Sequence, residues 1–263
     1  MIMLPSFKYI EYNFEGRVAR ITLNRPEKRN ALHPDVVTEL QEAFDAAEKD
    51  DTVKVILLDA NGDAFCAGAD LAYLQQLQNN SYAENLADST HLKNLFDKIY
   101  RHPKVVVAQI EGPALAGGCG LASVCDFAFS VPETKFGFTE VKIGFIPAIV
   151  MIFLVKKIGE GAARELLLTG NIISAERALH LHLINNIFPA ETIAFETKAF
   201  IDQLLNTCSA ESLKTTKQML ASIGDMNLEE AFAYAAEFNA KARAGNDCKR
   251  GIAAFLNKEK ITW

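Results

Sequence analysis

The chain has no C-x-x-C pair, no G-x-G-x-x-G or G-x-x-x-x-G-K-S/T loop and no excess of positive charge, and each absence removes a class of function. Its five cysteines (Cys66, Cys119, Cys125, Cys208 and Cys248) are scattered and odd in number, which excludes a zinc spacing and fits reduced thiols. The histidines show no metal-ligand spacing, and His180 and His182 point to different faces of a helix, so no metal is expected. Gly117-Gly118-Cys119-Gly120 lacks the dinucleotide-binding spacing, and Asp126 follows too soon to be the ribose acid expected about 20 residues on. A net charge of -6 argues against nucleic acid or an anionic membrane as partner, since both call for clustered lysine and arginine. The longest apolar stretch, residues 143–155, is interrupted by Gly144 and Pro147 and is too short to span a bilayer. Residues 1–12 have no basic start followed by an apolar core, so no secretory signal is expected and the cytoplasm is the default location.

What is present is a core-forming composition, 49% hydrophobic over 263 residues, and two short runs of small residues. Cys66-Ala67-Gly68-Ala69-Asp70 follows the apolar run 53–58 and precedes Leu71, Leu74 and Leu77 at helical spacing. Ala116-Gly117-Gly118-Cys119-Gly120 follows the apolar run 105–110 and precedes Leu121 and Ala122. Small side chains let a ligand touch backbone, and the first turn of a helix carries N–H groups without intrahelical partners. Two such ends facing each other hold one developing negative oxygen, which is the chemistry of a polarised carbonyl such as a thioester. Glycines after strands also serve turns and tight packing, and either run alone is open to that reading. Cys66 and Cys119 lie inside the runs, where a small buried filler is a simpler role than a nucleophile with no visible base.

Strand-like runs at 18–23, 53–58, 105–110 and 127–129 alternate with helical ones at 34–48, 71–77 and 162–168, an α/β pattern. From about residue 196 the strands vanish, and helical segments follow at 196–205, at 213–220 and through Leu228, Ala231, Phe232, Ala235 and Phe238. Asn227 and Glu230 form an N-cap pair for that last helix. The expected organisation is a core over residues 1–195 and a helical region over 196–263, serving its own domain, an oligomer contact or both.

These residues resemble the crotonase superfamily, also called the enoyl-CoA hydratase/isomerase family, over nearly the whole chain. The resemblance rests first on Ile21-Thr22-Leu23-Asn24-Arg25-Pro26 with Asn30-Ala31-Leu32, on residues 65–71, and on residues 112–120 followed by Cys125-Asp126. It continues in Phe136-Gly137-Phe138-Thr139-Glu140 with Gly144-Phe145-Ile146-Pro147, and in Leu168-Thr169-Gly170 with Ile173-Ser174-Ala175. It implies an α/β crotonase-like spiral of ββα units with a C-terminal helical region, assembled as a homotrimer or a homohexamer. It implies acyl-CoA thioesters as ligands and no separate cofactor, CoA being part of the substrate. The oxyanion donors would be the backbone N–H groups of Ala69 and Gly117. CoA would lie near Arg25, Lys28, Ala31, Ala67 and Leu71, with Asp70, Gly118 and Gly120 in the same substrate-binding loops. Arg25 and Lys28 suit CoA phosphates, a solvated turn being the alternative. Phe255 and Lys258 resemble positions that reach a neighbouring subunit's CoA.

Glu140 is the catalytic candidate. It stands among Phe136, Phe138, Ile143, Phe145 and Ile146, and a carboxylate in partly apolar surroundings can hold and return a proton near neutral pH. Many hydratases of the family carry a second glutamate where this chain has Gly120, the two carboxylates together activating water. One carboxylate suffices to move a proton between the α and γ carbons, so a Δ3,Δ2-enoyl-CoA isomerase stays open. Residues 117–121 and 140–148 look most like bacterial enzymes assigned as 3-methylglutaconyl-CoA hydratases of leucine and isovalerate breakdown, some of which also lack the second glutamate. The leading expectation is water addition to a short or branched 2-enoyl-CoA, the substrate's distal carboxylate holding the water. On that view Gly120→Glu raises turnover of crotonyl-CoA. A decarboxylase using Tyr73 or His91 and a non-catalytic acyl-CoA-binding member are the further alternatives. Leu74, Leu77, Phe96 and residues 149–153 line an acyl tunnel or belong to the core.

Overall fold

The computed structural model describes residues 6–263; residues 1–5, part of the segment read for a secretory signal, lie outside it. The chain opens with the antiparallel pair β1 (Ile10–Glu15) and β2 (Val18–Leu23), followed by α1 (Pro34–Lys49) and β3 (Val55–Ala60). Then come α2 (Leu71–Leu77), α3 (Tyr82–Arg101), β4 (Val105–Ile110), β5 (Ala114–Leu115), α4 (Gly117–Val124), β6 (Phe127–Ser130) and β7 (Lys135–Gly137). The rest is α5 (Ala148–Thr169), β8 (Ile173–Ser174), α6 (Ala175–His180), β9 (Asn186–Ile187), α7 (Ile193–Thr207), α8 (Ala210–Ile223), α9 (Leu228–Ala244) and α10 (Asn246–Leu256).

The main sheet has the order β1-β2-β3-β4-β6-β9, parallel from β2 onward. A second layer is built from much shorter pieces. Leu32 bridges Ala69, Cys66 bridges Ala114, β5 pairs with β7, and β7 pairs with β8. Each turn of the chain thus lays one strand in the main sheet, one short extended piece in the second layer and then a helix, which is the ββα spiral expected. The second layer brings the two small-residue runs side by side.

Burial on both faces of a parallel sheet explains the apolar run Val105–Ala108 in β4, all six of whose residues, the polar Gln109 included, are buried. Ile56, Leu58, Val106 and Ala108 point into the main core with Leu40 of α1, Phe96 of α3 and Leu121 of α4. Val55, Val105, Val107 and Phe129 point the other way, onto Ile201 of α7. Phe200 of α7 meets the rings of Phe127 and Phe129 edge-on at 4.7 and 5.0 Å. Residue 196, the expected start of the helical region, falls inside this sheet-covering helix. Asn227 caps α9 in a reciprocal capping box with Glu230. Among the described residues, no helix is long and apolar enough to cross a membrane.

A buried histidine closes the end of α3. His102 is 2% exposed, its Nε2 lies 3.1 Å from the Phe44 carbonyl, and its Nδ1 accepts from Lys104 N–H at 3.1 Å, which fixes a neutral ring. Burial, reinforced by the Lys217 charge, lowers its pKa from 6.5 to about 4. The unfolded chain takes up this proton first as pH falls, so stability on the order of 3 kcal/mol is lost between pH 6.5 and 4 through this one group. Urea unfolding at both ends of that range should show a larger acid loss for the natural protein than for His102→Gln, and equal losses would contradict the assignment.

Candidate active site

Three segments of the second layer are tied backbone to backbone. Cys66 N–H donates to Pro113 O (3.2 Å), Leu115 N–H to Cys66 O (2.9 Å), and Ala116 N–H to Gly137 O (2.7 Å). Two glycines allow so close an approach. Gly68 has φ +92°, and a Cβ there would lie 2.7 Å from Ala116 Cβ and 3.0 Å from Leu115 O. A Cβ on Gly118 would overlap the Cys66 carbonyl oxygen. Ala116, at φ +49° and ψ -122°, holds a conformation rare for an L residue, and the chain turns directly from it into α4.

Among the described residues, the N–H groups of Ala69 and Gly117 have no hydrogen-bond partner, as is also true of Gly118 and Cys119 in the first turn of α4, whereas those of Ala67, Asp70, Leu115, Ala116 and Gly120 are engaged. Gly117 opens α4, as the sequence implies. Ala69 differs from the helix-end expectation, because it precedes the N-cap of α2. The cap is Asp70, whose Oδ1 accepts from Ala72 N–H (3.0 Å) and Tyr73 N–H (3.3 Å), so these two α2 amides are already used. Ala69 N–H is thus a loop amide, in the residue that bridges Leu32.

Glu140 follows β7 and opens a short 3-10 turn, residues 140–143, which ends at Gly144 with φ +75°. The residue is 8% exposed, and its Oε2 is buried without a hydrogen-bond partner. Burial raises its pKa above the ordinary 4.5, opposed in part by its own amide. Phe136 and Phe138 are fully buried beside it in sequence, but Ile143, Phe145 and Ile146 stand at least half exposed, which corrects the expectation that all five wall in the carboxylate. Burial pushes the Cys66 thiol up to about 12 and the Cys119 thiol higher still, so both are fillers and neither is a thiolate nucleophile.

The site of the absent second glutamate is closed. A Cβ on Gly120 would overlap Val150 Cγ1 and lie 3.0 Å from Phe96 Cε1, and Val150 and Phe96 are both buried. This counts against the expectation that Gly120→Glu gains activity, because Val150 and Phe96 must first move to admit the added side chain. Phe96 stacks on Phe153 with ring centroids 6.2 Å apart, which assigns Phe96, Val150 and Phe153 to packing. Leu74, Leu77 and Ile149 are half-buried, whereas Met151 and Ile152 are exposed.

Arg25, expected near the CoA, has a partner within the chain. Its side chain is 13% exposed and its Nη1 lies 2.8 Å from Asp70 Oδ2, so it faces a carboxylate inside the protein. Lys28 and Leu71 are exposed, Ala67 is half-buried, and Ala31, Gly118 and Gly120 are buried. Tyr73 donates to Asp88 Oδ1 (2.6 Å), and His91 lies 3.0 Å from Thr38 Oγ1 and 3.2 Å from Gln41 Nε2, so both residues join helices. Sequence reasoning missed Asn30, whose Nδ2 donates to Asn61 O and Ala64 O, each at 2.8 Å, and which holds the first loop from behind.

The family profile described as Enoyl-CoA hydratase/isomerase matches residues 13–263. A Thermus thermophilus protein provisionally called an enoyl-CoA hydratase is 42% identical over 244 residues, covering 93% of this chain and 96% of its own. The crotonyl-CoA hydratase of Syntrophomonas wolfei is 31% identical, covering 95% of each chain. A crystal structure of an enoyl-CoA hydratase from Shewanella pealeana superposes with a TM-score of 0.92 at 29% identity, covering 98% of this chain and 96% of that one. The chain therefore belongs to the enoyl-CoA hydratase/isomerase family, as an enzyme of the crotonase fold that is a lyase or an isomerase.

Proposed function

We propose that the protein adds water to the double bond of a short or branched 2-enoyl-CoA, with 3-methylglutaconyl-CoA as substrate. The observation that carries the reading is the buried, unpartnered Oε2 of Glu140 on the same layer as the unpartnered N–H groups of Ala69 and Gly117. The thioester oxygen would accept from both amides as enolate charge develops, each donor contributing about 3 kcal/mol to that step. Glu140 would exchange protons with water and the α-carbon. Val150 leaves no room for a second carboxylate at position 120, so the distal carboxylate of a glutaconyl substrate would hold the attacking water. Resemblance of residues 117–121 and 140–148 to bacterial 3-methylglutaconyl-CoA hydratases supports that choice, and with it a place in leucine or isovalerate breakdown. The CoA would be the only nucleotide needed, with Lys28 at the exposed rim beside its phosphates.

Homotrimeric or homohexameric assembly is part of the proposal, with the 196–263 region at the contacts. Its support is the exposed apolar surface at Ile143, Phe145 and Ile146, and at Phe255 and Leu256 on α10. Phe255 and Lys258 would then reach the CoA of a neighbouring subunit. A cytoplasmic location fits the five free thiols. The second reading, a Δ3,Δ2-enoyl-CoA isomerase, is favoured by the filled slot at Gly120, since a single carboxylate can carry a proton from one carbon to another.

The test is incubation of the purified protein with 3-methylglutaconyl-CoA, crotonyl-CoA and a 3-enoyl-CoA in oxygen-18 water, with products followed by mass. Labelled hydroxyacyl-CoA, formed fastest from 3-methylglutaconyl-CoA, is the expected result. Unlabelled 2-enoyl-CoA from the 3-enoyl substrate alone would replace the hydratase reading with the isomerase.

A further inference from the structure

We propose that Arg25 is a positioning residue that acts through Asp70 to set the Ala69 N–H, an inference that rests on the oxyanion reading above. The residues flanking Ala69 are both fastened to the turn at residues 25–32. Leu32 N–H donates to Gly68 O (2.7 Å), and Asp70 N–H donates to Leu32 O (3.0 Å). Ala69 is left between them with its N–H free. The Asp70 side chain is shared: Oδ1 caps α2, and Oδ2 accepts from Arg25 Nη1 at 2.8 Å.

Arg25 is itself held. Its Nη1 reaches Ala31 O at 3.4 Å, its guanidinium lies 5.5 Å from the Tyr9 ring centroid, and its own N–H donates to Asn30 Oδ1 at 2.8 Å. Arg29 and Asn30 sit at φ +51° and +53°, so the turn is a left-handed pair of non-glycine residues stabilised by these contacts. A guanidinium held to a carboxylate in this way fixes the geometry of the loop that carries the carboxylate. Lysine lacks the planar fork and cannot reproduce the same set of contacts.

The experiment compares the natural protein with Arg25→Lys, Arg25→Gln, Asp70→Asn and the Arg25→Gln/Asp70→Asn double variant. Each is assayed on the preferred enoyl-CoA and on the corresponding enoyl-pantetheine, which lacks the nucleotide phosphates. Positioning predicts that kcat falls about 10- to 100-fold on both thioesters, with KM for the CoA ester changing less than about 3-fold. The double variant should be no worse than the poorer single one, because both remove the same link. A rise in KM confined to the CoA ester, with kcat unchanged, would make Arg25 a phosphate contact and overturn the proposal.

Infrared spectra of bound butyryl-CoA carrying carbon-13 at the thioester carbonyl give a readout without turnover. The carbonyl stretch should drop on binding to the natural protein and move back toward its free value in Arg25→Gln and Asp70→Asn. An equal drop in the variants would overturn the role of Arg25 alone, and no drop in the natural protein would overturn the oxyanion reading and this inference with it.

Discussion

Glutamine in place of Glu140 lowers kcat by about 10²- to 10⁴-fold on whichever enoyl-CoA the protein prefers, with little change in KM. The two side chains have nearly the same shape, so the thioester stays between its two amides, and only the proton carrier is lost. Folding should not suffer. Oε2 already lies buried without a partner, and replacing a desolvated carboxylate by a neutral amide relieves an electrostatic cost. The same burial sets the pH profile: Glu140 must be ionised to take a proton from carbon or water, and its pKa is raised, so kcat/KM should fall on the acid side with a midpoint above 4.5. Steady-state kinetics and thermal melts of both proteins check this, and a variant that keeps more than about a tenth of the activity would remove Glu140 from the chemistry.

Gly120→Glu is expected to destabilise the fold by about 3 kcal/mol or more, through displacement of packed groups and burial of an unpaired carboxyl. The added Cβ meets Val150, whose own side chain is packed into the core, and the Phe96 ring, itself stacked on Phe153. Neither neighbour is the loose end of a flexible chain. Val150→Ala in the same molecule should restore part of the loss, giving coupling between the two sites of about 1–3 kcal/mol. Urea unfolding of the two single variants and the double variant measures it. Simple additivity would show that Gly120 and Val150 do not compete for one space.

The parts of the site that were legible in the sequence are those carried by local chain. Cys66 through Asp70 and Ala116 through Gly120 announce a close backbone approach by their small side chains, and β4 announces a buried central strand by the apolar residues Val105 through Ala108 and Ile110. Asn227 and Glu230 announce a helix start because the cap is a contact three residues long. The second layer was not legible. β5 and β8 are two residues each, too short for any hydrophobic period, and its remaining links are single bridges. The helix α3 was missed because only Leu95, Phe96 and Ile99 of its twenty residues are buried, leaving its first half with no apolar stripe.

Partners far apart in sequence were the other blind spot. The type of Arg25 suits a phosphate, and its neighbour Asp70 is invisible at 45 residues' separation; Gly120 reads as an open position, and Val150 against it is equally invisible. Val150 in particular gives no sign of itself in an apolar stretch where every neighbour is equally apolar.

The central claim is that one thioester oxygen sits between Ala69 and Gly117 with Glu140 over the reacting carbons. The measurement that tests it most directly is a crystal structure of Glu140→Gln with crotonyl-CoA bound, the variant being slow enough to hold substrate. The account predicts the thioester oxygen within about 2.7–3.1 Å of both backbone nitrogens and the glutamine side chain beside the α-carbon. A thioester bound elsewhere, or in contact with neither amide, would contradict it.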